Sequence, residues 1–134
     1  MIGRRENKMK DYYLQQLGIN TDDCYWNSMP DDGRQNMWKK EQEKYGFDSR
    51  ETWSLDCTFV HWFYPRLKRY LEVANTCVDL EFHKFEFKGN IYTQKQAVEK
   101  VLIGFEKYLI GSDDNEKIND SFELCGIIMR SLWW

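Results

Sequence analysis

The chain has 134 residues, a formal net charge of −3 and a sequence pI near 5.4. This length suits one ordinary domain and is too short for two independent cores, so we predict a single domain over residues 1–134. The acidic balance argues against direct nucleic-acid binding, because proteins that bind a phosphate backbone normally present an excess of Lys and Arg. Apolar residues make up 42% of the chain and include six Trp, eight Tyr and eight Phe, which is enough to build one core.

The four cysteines, Cys24, Cys57, Cys77 and Cys125, are far apart and include no Cys-x-x-Cys pair. The start of the chain is largely polar, unlike a secretory signal peptide, and no apolar run is long enough to span a bilayer. We therefore expect reduced thiols, a cytoplasmic location and no membrane association.

Residues 1–33 predict a less regular N-terminal segment. A short helix over residues 7–17 should stop at Gly18, and the polar stretch over residues 20–33 is typical of a loop. Residues 34–45 then predict the first well-defined helix, with a charged outer face. Its expected apolar contacts are Met37, Trp38 and Tyr45.

A helix stop and a new helix start follow at once. Gly46 suits the left-handed position that closes a helix, and Phe47 suits the next position, which usually packs back on the last turn. Asp48 or Ser49 can cap the next helix, with Glu51 three residues after Asp48 completing a capping box. These signals together predict a hairpin of two helices joined by a short turn.

The next helix is predicted over residues 51–74 and is apolar around most of its circumference, so we expect it to be central. Trp53 follows the cap by one turn and is predicted to lie in the core. Pro65 removes a backbone donor and should kink or restart the helix. Beyond it, three basic residues should bring charge to the surface: Arg66, Lys68 and Arg69.

The last third of the chain predicts a small β-hairpin over residues 78–92, where apolar residues alternate around the turn residues Lys88-Gly89-Asn90. Thr93 then caps a helix, with Gln96 in the third-position role, and this helix ends near Gly111. A last helix should begin near residue 118. The fold class is therefore predicted to be mainly α, a compact bundle of four to five helices with one small β-hairpin.

One motif carries a resemblance. The residues Gly-Phe-Asp-x-Arg-Glu-Thr-Trp-x-Leu-Asp, together with residues 83–94 and the final Leu-Trp, resemble a family of small uncharacterised proteins found mainly in bacteriophages and prophages. The resemblance covers roughly the last two thirds of the chain. It implies a location in the cytoplasm of a bacterial host and no catalytic residues. The motif positions are Gly46, Phe47, Asp48, Arg50, Glu51, Trp53 and Asp56.

Two groups of residues have the composition of chemical sites. Cys57 and His61 lie four apart on one helix, with Cys77 and His83 further on, but no tight pair nucleates a zinc site, so we interpret them as packing residues and predict no metal.

The charged residues near the motif are Arg50, Glu51, Asp56 and Arg66. We interpret them as structural pairs, with Asp56 buried and held by an arginine or a Trp ring nitrogen. No catalytic motif is visible, so we predict neither an enzyme nor a cofactor.

Exposed indoles are costly, so the two terminal indoles, Trp133 and Trp134, are expected to dock either on the protein's own core or on a partner. The Leu-Trp at this place in the resembling family implies docking on the protein's own core. The acidic pairs in loops are interpreted as solvated. They are Asp22-Asp23, Asp31-Asp32 and Asp113-Asp114.

Two functions fit these features. The first is an accessory protein of phage type that binds a host protein or ribonucleoprotein, for instance as an inhibitor of a defence system such as CRISPR. The second is a protein that binds or sequesters a nucleotide, with aromatic rings on the base and Arg66, Lys68 or Arg69 on a phosphate. A deep aromatic pocket with convergent basic groups favours the second, and a flat apolar or acidic patch favours the first.

Overall fold

A computed structural model of the protein describes residues 11–20 and 33–134. The chain divides into two units, Met1–His61 and Trp62–Trp134, and the long helix at the middle of the chain contributes residues to both. The predictions for Cys24, for the acidic pairs Asp22-Asp23 and Asp31-Asp32, and for most of the segment over residues 1–33 concern residues outside the described ranges. The single domain over residues 1–134 stays a prediction.

In the first unit, helix α1 spans Tyr12–Gln16 and helix α2 spans Gln35–Tyr45. Gly46 has a φ of 85°, and its N–H bonds to the carbonyl of Gln42, so the helix stop lies where the sequence places it. Of the three apolar contacts predicted for α2, only Trp38 is buried. Met37 and Tyr45 are exposed.

The capping box begins a different helix from the one predicted. It starts a short 3₁₀ helix over Ser49–Thr52, and helix α3 begins only afterwards and spans Leu55–Cys77. Trp53 falls in the bend between these helices, where its side chain is 73% exposed. The prediction of Trp53 as a core residue is therefore wrong, because the cap fixes the orientation of the 3₁₀ turn and not that of the long helix.

Helix α3 continues through Pro65 without a restart. Fewer of its apolar residues are buried than the sequence predicts, since Leu55 and Trp62 are exposed. The buried apolar residues of α3 are Val60, Phe63, Tyr64, Leu67 and Ala74.

The β-hairpin of the second unit pairs strand β1, Lys84–Phe87, with strand β2, Asn90–Thr93. Lys88 and Gly89 both have positive φ, the combination that a two-residue hairpin turn requires. Residues 78–83 form turns instead of the predicted strand, because the carboxylate and carbonyl of Asp79 accept the N–H groups of the second and third residues after it.

Helix α4 spans Gln94–Leu109 and helix α5 spans Asn115–Ile128, followed by a 3₁₀ turn over Met129–Ser131. The capping box at Thr93 and Gln96 is present in both directions, as predicted. The two helices pack on each other and bury Ala97, Val98, Val101, Leu102, Phe105, Ile118, Leu124, Cys125 and Ile128. The predicted fold class, mainly α with one small antiparallel hairpin, is confirmed.

Helices α4 and α5 approach each other closely at Gly104. A Cβ added there would lie 1.6 Å from Ser121 Oγ and 2.8 Å from the carbonyl oxygen of Lys117. The Ser121 hydroxyl in turn donates to that carbonyl at 2.9 Å. Only a glycine lets the two helices come this close.

Gly104→Ala is expected to destabilise the protein by about 1 to 3 kcal/mol, the usual cost of overpacking a tight interior. Gly126→Ala is the matched control, because Gly126 lies in α5 with nothing near its missing Cβ. There the extra methyl group should stabilise the helix by about 0.5 to 1 kcal/mol. Urea unfolding followed by far-UV circular dichroism compares the two variants, and equal effects would contradict the close approach.

Trp38 and Trp53, both in the first unit, provide a second test. Trp38→Ala should lower the free energy of unfolding by about 3 to 5 kcal/mol, because this ring is 3% exposed. Trp53→Ala should change it by less than about 0.5 kcal/mol, because this ring is mostly in solvent. The midpoints of thermal unfolding show which variant is less stable. A larger loss of stability for Trp53→Ala than for Trp38→Ala would refute the burial of Trp38 and the exposure of Trp53.

Candidate functional site

The buried charge of the motif is Asp48, whose side chain is fully buried. Its carboxylate accepts hydrogen bonds from Arg50 Nε at 3.0 Å, from Arg50 Nη2 at 2.8 Å and from Gln42 Nε2 at 2.6 Å. The backbone N–H of Arg50 donates to it as well. Burial alone would raise the pKa of Asp48, but the bonds from Arg50 and Gln42 outweigh burial and hold this pKa below its usual value.

Aromatic and polar contacts extend this pair. The guanidinium of Arg50 lies 4.4 Å from the centre of the Trp38 ring, and that of Arg34 lies 5.0 Å from it. The backbone N–H of Ser49 donates to Glu41 Oε1 at 3.1 Å. The buried ion pair lies at the start of the 3₁₀ helix, and the contacts with Glu41, Gln42 and Trp38 join it to α2. We call this set of contacts the Asp48 lock.

Three other motif residues can be compared with the prediction. Asp56 is exposed and accepts a hydrogen bond from Ser54 Oγ at 2.7 Å, so the prediction that Asp56 is the buried carboxylate is wrong. Phe47 is 44% exposed, with its ring 6.0 Å from that of Tyr45. Glu51 accepts the backbone N–H of Asp48, as the capping box predicts.

Asp48→Asn should lower the free energy of unfolding at pH 7 by about 1.5 to 3 kcal/mol, the range for hydrogen bonds to a charged group. The folded pKa of Asp48 lies below the unfolded value, so the stability that the carboxylate contributes is complete above about pH 4 and is lost as the pH falls through the folded value. The difference between wild type and variant should therefore shrink on acidification.

Asp56→Asn is the matched control for this experiment, because the Asp56 carboxylate is exposed. We expect a change within about 0.5 kcal/mol at all pH values. Urea titrations from pH 7 to pH 3 measure both variants, and a gap for Asp48→Asn that stays constant with pH would rule out the charged lock.

Cys57 and His61 contact each other, with 3.5 Å between Sγ and Nδ1, and Nδ1 lies 2.8 Å from the carbonyl oxygen of Cys57. Burial lowers the pKa of His61. Cys77 and His83 are both exposed. Over residues 11–20 and 33–134, no three His, Cys, Asp or Glu side chains are grouped so that they could hold a metal ion.

The three basic residues predicted to bind a partner have separate contacts. Arg66 lies 4.4 Å from the Trp62 ring centre and donates to the Trp62 carbonyl. Arg69 pairs with Glu72 at 2.9 Å, and the Lys68 ammonium lies 3.7 Å from a carboxylate oxygen of Glu106. Each of these three basic side chains therefore contacts a different residue of the second unit. Their role in binding stays a prediction.

A buried polar group that the sequence analysis missed fastens the last residues of the chain. Gln94 is 3% exposed, and its Nε2 donates to Tyr70 Oη at 2.7 Å and to the carbonyl of Ser131 at 2.9 Å. Tyr70 Oη donates to the carbonyl of Trp133 at 3.2 Å. No local signal marks Gln94, because these partners are 24 and 37 residues away in sequence.

Beside Gln94 lies a small cavity of about 200 Å³. Its lining includes two exposed rings, Phe82 at 73% and Trp133 at 63% exposure, and the Phe82 and His83 rings are nearly perpendicular with their centres 5.3 Å apart. We call it the Phe82–Trp133 cleft. It is lined by Val78, Asp79, Phe82, His83, Gln94, Ser131 and Trp133.

The cleft overturns the prediction that the terminal indoles dock on the protein's own core. Trp133 and Trp134 remain 63% and 64% exposed. The reason is that Tyr70 and Gln94 bind the backbone carbonyls of this segment and not its rings.

No family model, curated protein or solved structure matches this chain. The resemblance to phage proteins therefore stays a prediction that rests on the motif residues. Among the described helices, none has both the length and the apolar character needed to cross a bilayer.

Proposed function

We propose that this protein acts by binding a host protein or ribonucleoprotein through the Phe82–Trp133 cleft. The observation that carries the proposal is the pair of exposed aromatic rings that line one cavity. Exposed aromatic groups of this kind are enriched at the centres of protein interfaces, where they supply much of the binding energy. Exposure of such rings to water is otherwise unfavourable.

The backbone beneath these rings supports the same proposal. The carbonyl of Ser131 is held by the buried Gln94 and that of Trp133 by the half-buried Tyr70, so the Trp133 indole projects from a fixed segment. A ring presented in this way loses little conformational freedom when a partner binds, which strengthens an interface.

The chemistry of the cleft favours a macromolecule over a nucleotide. Among the described residues that line it, Asp79 is the only acid and none is a Lys or an Arg. A phosphate would therefore meet a carboxylate there and neither of the two side chains that usually bind phosphate. Its volume of about 200 Å³ is also below the usual 300 to 1,000 Å³ of small-molecule pockets. A single anchoring side chain of a partner suits this space better.

The motif resemblance adds a biological setting to this proposal. A phage-type protein in the cytoplasm of a bacterial host gains most by blocking a defence complex, and we propose inhibition by occupancy of such a complex, for instance a CRISPR effector. In this mechanism the protein is not an enzyme and needs no cofactor. Its net charge of −3 suits contact with the protein part of a ribonucleoprotein.

Affinity capture from bacterial lysate with the Phe82→Ala, Trp133→Ala double variant tests the proposal. We expect the partner bound by the wild-type protein to be lost, because removal of one hot-spot ring costs about 2 kcal/mol, or roughly 30-fold in affinity. Ile110→Ala is the control, since Ile110 is 62% exposed but does not line the cleft. Retention of the partner by the double variant, or its loss with Ile110→Ala, would reject this surface.

A further inference from the structure

A second concave surface lies between strand β2, helix α4 and helix α5. Its volume is about 560 Å³, which is within the range of small-molecule sites. We call it the Tyr92 groove. Its lining residues are Asn90, Ile91, Tyr92, Gln96, Glu99, Lys100, Ile103, Gly104 and Lys117.

The groove is built on the close approach of the two helices. The Ser121 hydroxyl lies 3.3 Å from the carbonyl oxygen of Lys100 and 2.9 Å from that of Lys117. The backbones of both lysines therefore meet at one hydroxyl, next to Gly104. Because the two helices pack here with no room for a Cβ at Gly104, the backbone positions of Lys100 and Lys117 are fixed relative to each other.

The two lysines of the groove differ from several others in the second unit. Lys68, Lys88 and Lys107 each form an ion pair with a carboxylate. Lys100 and Lys117 form none within the part of the chain that the structure describes. The chain as a whole has a net negative charge, but these two lysines give the groove a local positive charge.

An aromatic ring completes the arrangement. The Lys100 ammonium lies 5.9 Å from the centre of the Tyr92 ring. Ile91 and Ile103, both more than half exposed, add apolar surface to the groove. A planar apolar group and a negative charge can therefore be accommodated side by side. Among the described lining residues, Glu99 is the only acidic one.

From this geometry we propose that the Tyr92 groove binds a small molecule in which a planar ring carries a phosphate, such as a nucleoside monophosphate. The ring packs on Tyr92 and Ile103, and the phosphate lies between the ammonium groups of Lys100 and Lys117. Lysine binds phosphate as a point charge, so two lysines match a dianion. This site is separate from Arg66, Lys68 and Arg69 and from the Phe82–Trp133 cleft, and it does not depend on the function proposed above.

Isothermal titration calorimetry of the full chain with AMP, UMP and phenyl phosphate tests the site. At least one of these should bind with a dissociation constant below roughly 1 mM, while adenosine and inorganic phosphate bind at least about tenfold more weakly. Binding of AMP or UMP without phenyl phosphate identifies a nucleotide site. Binding of all three identifies a site for any phosphorylated ring.

Single variants locate the binding. Lys100→Met and Lys117→Met should each weaken it about tenfold, because each removes one charge-assisted contact. Lys95→Met is the matched control, since Lys95 lies on α4 but does not line the groove. Arg66→Glu should also leave the affinity unchanged.

A measurement on the wild-type protein keeps the test independent of variant folding. In NMR titrations with the same compounds, the signals of Tyr92 and Ile103 should shift more than those of Phe82 and Trp133. The proposal is overturned if none of the three phosphorylated compounds binds below roughly 1 mM, or if the shifts map elsewhere. It is also overturned if Lys100→Met and Lys117→Met bind as tightly as Lys95→Met.

Discussion

The buried ion pair between Asp48 and Arg50 is the constraint around which the first unit is organised. A carboxylate without solvent contact needs donors on all sides, and here they come from a guanidinium, a side-chain amide and a backbone N–H. The guanidinium is then in place to cover Trp38, the buried ring of α2. One short sequence thus sets the turn, satisfies the charge and covers the aromatic ring.

The second unit is organised by two different constraints. Gly104 lets α4 and α5 pack without a side chain between them, and Gln94 ties α3, α4 and the last residues through one buried amide. In the described residues, every buried side-chain nitrogen or oxygen has a hydrogen-bond partner. The unit therefore combines a close-packed interior with a satisfied polar centre, which is what holds its surface features in fixed positions.

Both proposed sites are consequences of that framework. The Phe82–Trp133 cleft lies next to Gln94, and the Tyr92 groove lies over the crossing at Gly104. Their chemistry is opposite, since one offers aromatic rings and an aspartate while the other offers two lysines beside a tyrosine. A macromolecular partner and a small anion are therefore expected at different places on the same unit, and each can be removed by mutation without disturbing the other.

The sequence alone determined the features that depend on neighbouring residues. The stop at Gly46, the capping boxes at Asp48 and Thr93 and the turn at Lys88-Gly89 all arise from contacts within a few positions, so local patterns predict them. Tertiary structure decided which rings and charges are buried. Local patterns could not distinguish Trp38 from Trp53, or Asp48 from Asp56, because burial depends on how the capped segment is oriented against its neighbours. Lys100 and Lys117 are brought together only by packing of α4 on α5, since residues distant in sequence meet through the fold and not through local pattern.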